Sequence, residues 1–266
     1  MHRGQSKLSP YAFMGLFIFF FPVMTAMKAT AADLPKELQG VRRIVTLGDS
    51  ITQGGGEPDG YVWLLDKHLK TLYPNHQIEI INAGISGHKA TDMQARFQRD
   101  VLDKKPDLVT ISVGINDVWH GFYDFDKKVR HPRGDLAAGI PLPLYREKVE
   151  AMIKAAQGAG VRVALLTPTI IYEDLQSDEN VRVRQYIQTL RSLAKQHNCV
   201  FIDLNTPFHN IISLYQKYAS GPANVLTTDG VHMNKAGYQL MTSLILRGLG
   251  VPDKDLAALH ITEAKR

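Results

Sequence analysis

The 266-residue chain has a single cysteine, Cys199, so it cannot form an intrachain disulfide, and any folded domain must stand on its hydrophobic core alone. It has no His-Glu-x-x-His and no Cys/His set, so its ten histidines do not read as a metal site. Gly54 to Gly56 stand together in "GGGEPDG", but no Lys-Ser/Thr follows and two acids do, which weakens a nucleotide-binding reading and leaves the stretch as an expected flexible link into the helix beginning near Tyr61. No repeat, low-complexity tract or Pro-rich linker divides the chain. Acidic residues are missing from positions 1–31, where Arg3, Lys7 and Lys28 lie. Without those three cations the formal charge of +5 falls to +2, too little for a phosphate-neutralising surface, and nucleic acid is not an expected partner.

Long apolar runs are also missing. The longest, Tyr11 to Met24, is interrupted by Pro22 and falls short of the roughly 20 residues that span a bilayer. Basic residues precede it and Ala29-Thr30-Ala31 follows, the layout of a secretory signal. The expectation is a leader over 1–31, cleaved before Ala32, and a periplasmic or extracellular domain over 32–266 with no stable membrane insertion. Retention as an N-terminal anchor is the alternative.

What remains has 44% hydrophobic residues, arranged in two alternating patterns. "VRRIVTL" (41–47), "IEIIN" (78–82), "LVTISV" (108–113), "VRVALLT" (161–167) and "VFIDL" (200–204) read as buried strands. Cys199 is expected to be a buried residue of the last one. Between them, runs beginning at Tyr61, Thr91, Leu144 and Val181 place apolar residues three and four apart, as amphipathic helices do. The alternation predicts a parallel sheet covered by helices on both faces. A final helix is expected to start after Asn234 as N-cap, with a solvated tail after Pro252. The 120–143 stretch lacks periodicity and is long enough to be either functional or disordered.

In an open parallel sheet, ligands bind beyond the carboxyl ends of the strands. Strand one ends at Gly48-Asp49-Ser50, strand two leads to Gly87, and strand three leads to Asn116; Asp229 and His232 come much later. Each alone has a bland reading. Ser50 after a strand reads as a helix cap or turn residue, "GIND" as a turn, Asp229-Gly230 as a turn pair and His232 as a surface or packed histidine. Together they offer a hydroxyl, an imidazole to take its proton, and a carboxylate to orient that imidazole. The amides of Ser50 and Gly87 and the Asn116 carboxamide suit a developing oxyanion. Asp49 reads as a structural carboxylate bonding nearby amides rather than as a proton-transfer group. Trp119 and His120, just after "GIND", read either as walls of an acyl or sugar pocket or as loop packing.

"GDSIT", "NAGISG", "GIND" and "DGVH" resemble, in order and spacing, the blocks of the SGNH or GDSL-type esterases and lipases, over about 42–249. The resemblance implies a three-layer α/β/α sandwich with a central five-stranded parallel sheet, flavodoxin-like rather than α/β-hydrolase. The Gly-x-Ser-x-Gly elbow of the latter is indeed absent around Ser50. It also implies Ser50 as nucleophile, His232 as base, Asp229 as its orienting acid, and Ser50, Gly87 and Asn116 as the oxyanion hole. Ile115 and Met233 stand where many relatives have glycine and proline. The expected activity is cofactor-free hydrolysis of an acylated small molecule or polysaccharide, with a short acyl group on carbohydrate favoured. Lipid or small-ester hydrolysis and a non-catalytic carbohydrate-binding role are the alternatives.

Overall fold

The computed structural model describes residues 33–219 and 224–264. The expected leader and its cleavage point lie outside the described residues.

The chain runs through β1 (Arg43–Gly48), α1 (Ser50–Gly54), α2 (Tyr61–Leu72), β2 (Glu79–Gly84), α3 (Ala90–Asp100), β3 (Leu108–Ser112) and α4 (Ile115–Phe122). A small hairpin, β4 (Tyr123–Asp124) with β5 (Val129–Arg130), is followed by α5 (Leu142–Gly158), β6 (Arg162–Leu166) and α6 (Asp178–Gln196). The rest is β7 (Val200–Ile202), α7 (Asn205–Tyr218), α8 (Lys235–Gly248) and α9 (Asp253–Ala264).

The main sheet has five strands in the order β2-β1-β3-β6-β7, all parallel. Val45, Leu47, Val109, Ile111, Leu165 and Leu166 are fully buried. Removing such side chains from water contributes about 1.5–3 kcal/mol each, as an upper estimate. α2 packs against α8, while α3 packs against α5 and α5 against α6, giving the two helical layers of the expected sandwich. The strand order reverses between β1 and β3, and the crevice beyond their carboxyl ends is the place this topology offers a ligand.

The structure corrects three local expectations. The tail after Pro252 is helix α9, which buries Leu256 and Leu259; their i, i+3 spacing puts them on one face. The glycines after α1 are not a flexible link. The Gly55 amide donates to the Ile51 carbonyl at 2.9 Å, and the Gly55 carbonyl accepts from Val62 and Trp63 at 2.9 and 3.0 Å, locking α1 onto the start of α2. Cys199 is only half-buried and precedes β7 instead of lying in it.

The 120–143 segment is built. α4 continues to Phe122, the hairpin follows, and Arg130 forms a two-pronged ion pair with the buried Glu179 at 2.8 and 2.7 Å. Arg182 of α6 donates to the carbonyls of Arg133 and Gly134, fastening the next turn.

Candidate active site

Ser50 is the first residue of α1, directly after β1. Asp49 is its N-cap, accepting the Ile51 amide at 3.0 Å; such a cap contributes about 1 kcal/mol. The cap expected of Ser50 is therefore supplied by Asp49, in keeping with its reading as a structural carboxylate, and Ser50 lies one residue inside the helix. Burial pushes the Asp49 carboxyl up to about 6, against the opposing pull of the Ile51 amide and of His232.

His232 arrives from the opposite end of the chain. The segment before α8 folds back on itself: Thr227 bridges Met233, the Thr228 amide donates to the His232 carbonyl at 2.8 Å, and the Asn234 amide to that of Leu226 at 3.0 Å. Asn234 then caps α8 by accepting the Gly237 amide at 3.0 Å. Inside this turn, Asp229 Oδ1 accepts the amides of Val231 and His232 at 2.9 and 2.8 Å, and Oδ2 lies 2.7 Å from His232 Nδ1. His232 Nε2 is 2.9 Å from Ser50 Oγ. Partial burial pushes the Asp229 pKa up, but its bonds from the imidazole and the two amides, with the imidazole's charge, outweigh that and leave it below the usual carboxylate value. The ionised carboxylate holds the proton on Nδ1, so Nε2 presents a lone pair to the Ser50 hydroxyl.

The "NAGISG" loop is fastened to α1 from several sides. Asn82 Nδ2 donates to the Thr52 carbonyl at 2.8 Å, and Gln53 Oε1 accepts the Ser86 amide at 2.7 Å. Gly87 has φ +77°, a left-handed conformation that favours glycine, and a Cβ there would meet no protein atom within 4 Å. The backbone conformation by itself favours glycine at this position. Asn116, in the first turn of α4, is buried and donates from Nδ2 to the His88 carbonyl at 3.1 Å, leaving its second amide hydrogen for another acceptor. The amide of Ser50 sits at N1 of α1, where no intrahelical acceptor exists. The structure thus brings Ser50, His232, Asp229, Gly87 and Asn116 to one rim of the sheet. Among the described residues no cluster of three His, Cys, Asp or Glu side chains could hold a metal ion.

Residues 46–240 match the model of the GDSL-like Lipase/Acylhydrolase family. The chain belongs to that family. It is 29% identical over 220 residues to an acetylxylan esterase of Geobacillus stearothermophilus, covering 78% of this chain and 94% of the relative. An acetylxylan esterase of Xylanibacter ruminicola is 26% identical over 80% of this chain and 44% of its own length. Among solved structures, the acetyl xylan esterase AlAXEase is 31% identical, covers 77% of this chain and 98% of its own, and superposes with a TM-score of 0.66. This GDSL-family chain is a carboxylic ester hydrolase, and it shares the α/β sandwich of its solved relatives.

Several residues that shape the site of this GDSL hydrolase carry no signal in the sequence. Arg96 of α3 is buried and donates to the carbonyls of Gly48 and Ala83 at 2.9 and 2.8 Å, tying together the carboxyl ends of β1 and β2. Buried Glu173 accepts the amides of Val225, Leu226 and Thr227 and the Thr227 hydroxyl, all within 3.0 Å, and so grips the segment leading to Asp229 and His232. Asp117, beside Asn116, accepts the Ala90 amide at 2.9 Å through Oδ1, while its buried Oδ2 has no partner among the described residues. A helical period was the one available clue to α4: Ile115, Val118 and Phe122 are its buried apolar residues.

Trp119 and His120 are both half-buried. Trp119 Nε1 donates to the Tyr172 hydroxyl at 3.0 Å, and His120 lies against Phe125 with ring centroids 4.7 Å apart. Tyr172 in turn packs on the loop that carries His232, since a Cβ on Gly230 would lie 2.8 Å from its ring.

Proposed function

We propose that this GDSL-family hydrolase is an exported serine esterase that removes short acyl groups, acetyl above all, from carbohydrate through an acyl-enzyme intermediate. The observation that carries the reading is the continuous hydrogen-bonded series from Ser50 through His232 to Asp229, with steps of 2.9 and 2.7 Å, at the topological switch of the sheet. Similarity to acetylxylan esterases over most of both chains supports acetyl and carbohydrate as acyl group and alcohol. The signal-like N-terminus supports export, as does a 38% identity over 86 residues to a Bacillus subtilis protein called an uncharacterized lipoprotein.

In this reading His232 Nε2 takes the Ser50 proton as Oγ attacks the ester carbonyl, and Asp229 stabilises the imidazolium that forms. The oxyanion is met by the amides of Ser50 and Gly87 and by the free hydrogen of the Asn116 carboxamide. His232 then passes its proton to the departing sugar hydroxyl as the tetrahedral intermediate collapses to acyl-Ser50. A water, deprotonated by the same imidazole, attacks the acyl group; its second collapse returns the proton to Ser50 and releases the acid.

The test pairs labelling with a substrate screen. A fluorophosphonate should give a one-to-one adduct on Ser50, and the Ser50→Ala variant should lose turnover while keeping its far-ultraviolet circular dichroism. Acetylated xylan fragments should be turned over better than nitrophenyl esters of long acids. Wild-type activity in the alanine variant would refute the nucleophile, and a preference for chains beyond about eight carbons would refute the short-acyl assignment.

A further inference from the structure

Three rings from three parts of the chain meet at the edge of the site. Trp119 lies three residues along α4 from Asn116, which puts the two on one face of the helix. Tyr172 comes from the loop after β6, packs on Gly230 between Asp229 and His232, and receives the Trp119 indole N–H. Phe125 opens the turn of the β4–β5 hairpin and stands edge-on to Trp119, with centroids 4.8 Å apart. The Trp119–Tyr172 pair therefore links the helix bearing the Asn116 carboxamide to the loop bearing the imidazole.

We propose that Trp119, Phe125 and Tyr172 form a subsite that binds a pyranose ring of the acylated substrate, beside the position where Ser50 attacks. The proposal rests on the acetyl-carbohydrate reading above and adds to it the residues that recognise the sugar.

Three features distinguish this wall from ordinary packing. The first is exposure: Phe125, on a two-residue-strand hairpin, remains 43% accessible although its ring lies against those of Trp119, His120 and Tyr123. The hairpin is held at both ends, by Asp124 Oδ1, which accepts the amides of Asp126 and Lys127 at 3.1 and 3.0 Å, and by the Arg130–Glu179 ion pair. Secondly, the indole N–H of Trp119 is spent on Tyr172, so the wall presents aromatic carbon to a ligand. This suits the apolar C–H face of a neutral pyranose better than a charged group. Thirdly, Tyr172 sits at φ +57°, an unfavourable conformation for a residue with a side chain. It is kept there by Asn180, which donates to the carbonyls of Ile171 and Tyr172 and accepts the Ile171 amide at 3.0 Å. Backbone strain of this kind persists where the surroundings hold it, and it concentrates at ligand clamps. His120, tilted against Phe125, adds a polar edge: burial first, and Lys89 second, keep its pKa below the ordinary value, so near neutral pH it offers one donor and one acceptor to a sugar hydroxyl.

The chain's two tryptophans make the subsite directly observable. With Trp63→Phe in a Ser50→Ala background, Trp119 is the sole indole. Titration with acetylated and deacetylated xylo-oligosaccharides should then produce a saturable change in its emission, weakened about tenfold or more by Phe125→Ala. In the active enzyme, Phe125→Leu, which keeps an apolar side chain but no ring, and Trp119→Phe should raise KM for acetylated xylo-oligosaccharide. Each should lower the ratio of kcat/KM on that substrate to kcat/KM on nitrophenyl acetate by about tenfold. A Trp119 emission that ignores the sugars, or a ratio that stays at the wild-type value in both variants while wild type deacetylates xylo-oligosaccharide, overturns the subsite and leaves the esterase reading intact. Wild type that cleaves nitrophenyl acetate but no acetylated sugar removes the carbohydrate reading and the subsite with it.

Discussion

Glu173 Oε1 accepts both the amide and the hydroxyl of Thr227, at 3.0 and 2.8 Å, and its Oε2 accepts the Val225 amide at 2.6 Å. A carboxylate is the one side chain of this length that accepts through both oxygens. In Glu173→Gln one oxygen becomes an NH2 group that faces backbone donors, leaving at least one buried amide unpaired at a cost of about 1–3 kcal/mol. The proposed base and its orienting acid hang from this segment, and a displacement of about 1 Å can cost on the order of 100-fold in rate. Glu173→Gln is therefore expected to lower kcat on nitrophenyl acetate by about 10- to 100-fold with a smaller change in KM. Steady-state kinetics alongside thermal unfolding check this. A lowered Tm with kcat within about twofold of wild type would make Glu173 a purely structural anchor.

The sheet and the side chains proposed to react were legible in the sequence because their signals are local. A Val/Ile-rich run that ends in glycine marks a strand end, and the strand ends determine which polar residues share a rim. The supports of the site were not legible, because their partners are distant. Glu173 is a lone acid in a loop, and its acceptance of residues 52 to 54 positions downstream leaves no spacing to read. Arg96 reads as an ordinary charged position on α3, although it reaches back 48 residues to Gly48. α7 escaped for another reason: it buries Phe208 and Ile212 but exposes Leu214, Tyr215 and Tyr218, so its apolar residues do not fall on one face. α4 was hidden by the turn-forming composition of "GIND" at its start.

Asp229→Asn keeps an acceptor for the amides of Val231 and His232, so the turn should persist. Its carboxamide N–H₂, however, faces His232 Nδ1 and favours the tautomer with the proton on Nε2, which cannot accept from Ser50. Loss of about 100- to 10,000-fold in kcat is expected, with little change in the urea midpoint. A loss under about fivefold would mean that the half-exposed carboxylate does not set the tautomer.

Removing the Asn116 carboxamide tests the proposed oxyanion hole. Asn116→Ala should lower kcat by about 100- to 1,000-fold, because the lost donor acts on charge that develops only in the transition state. KM should change little. The His88 carbonyl loses its 3.1 Å partner as well, so a destabilisation of about 1 kcal/mol is expected in unfolding measurements. A rise in KM at unchanged kcat would assign Asn116 to ground-state binding instead.

Asp117 supplies the pH test. Burial pushes its carboxyl from the ordinary 3.8 up to about 7, with Asp49 adding to the rise and the Ala90 amide opposing it. Because the folded-state value lies above the unfolded one, the native protein holds a proton that the unfolded chain has already released. The associated stability is complete below about pH 4 and is lost as pH rises through about 7. At about 1.4 kcal/mol per unit this amounts to a few kcal/mol. Carboxylates lowered by arginines, such as Asp100 at about 2 beside Arg99 and Arg96, act in a different window, since their contribution is lost only as pH falls below the ordinary carboxylate range. Asp117→Asn, which keeps an oxygen for the Ala90 amide, should therefore unfold at nearly wild-type urea concentration at about pH 4.5 and at a higher one at about pH 8. A slope should remain in the variant up to about pH 6 from Asp49, itself raised to about 6. Parallel pH profiles for the two proteins would show that Asp117 is ionised in the folded state throughout.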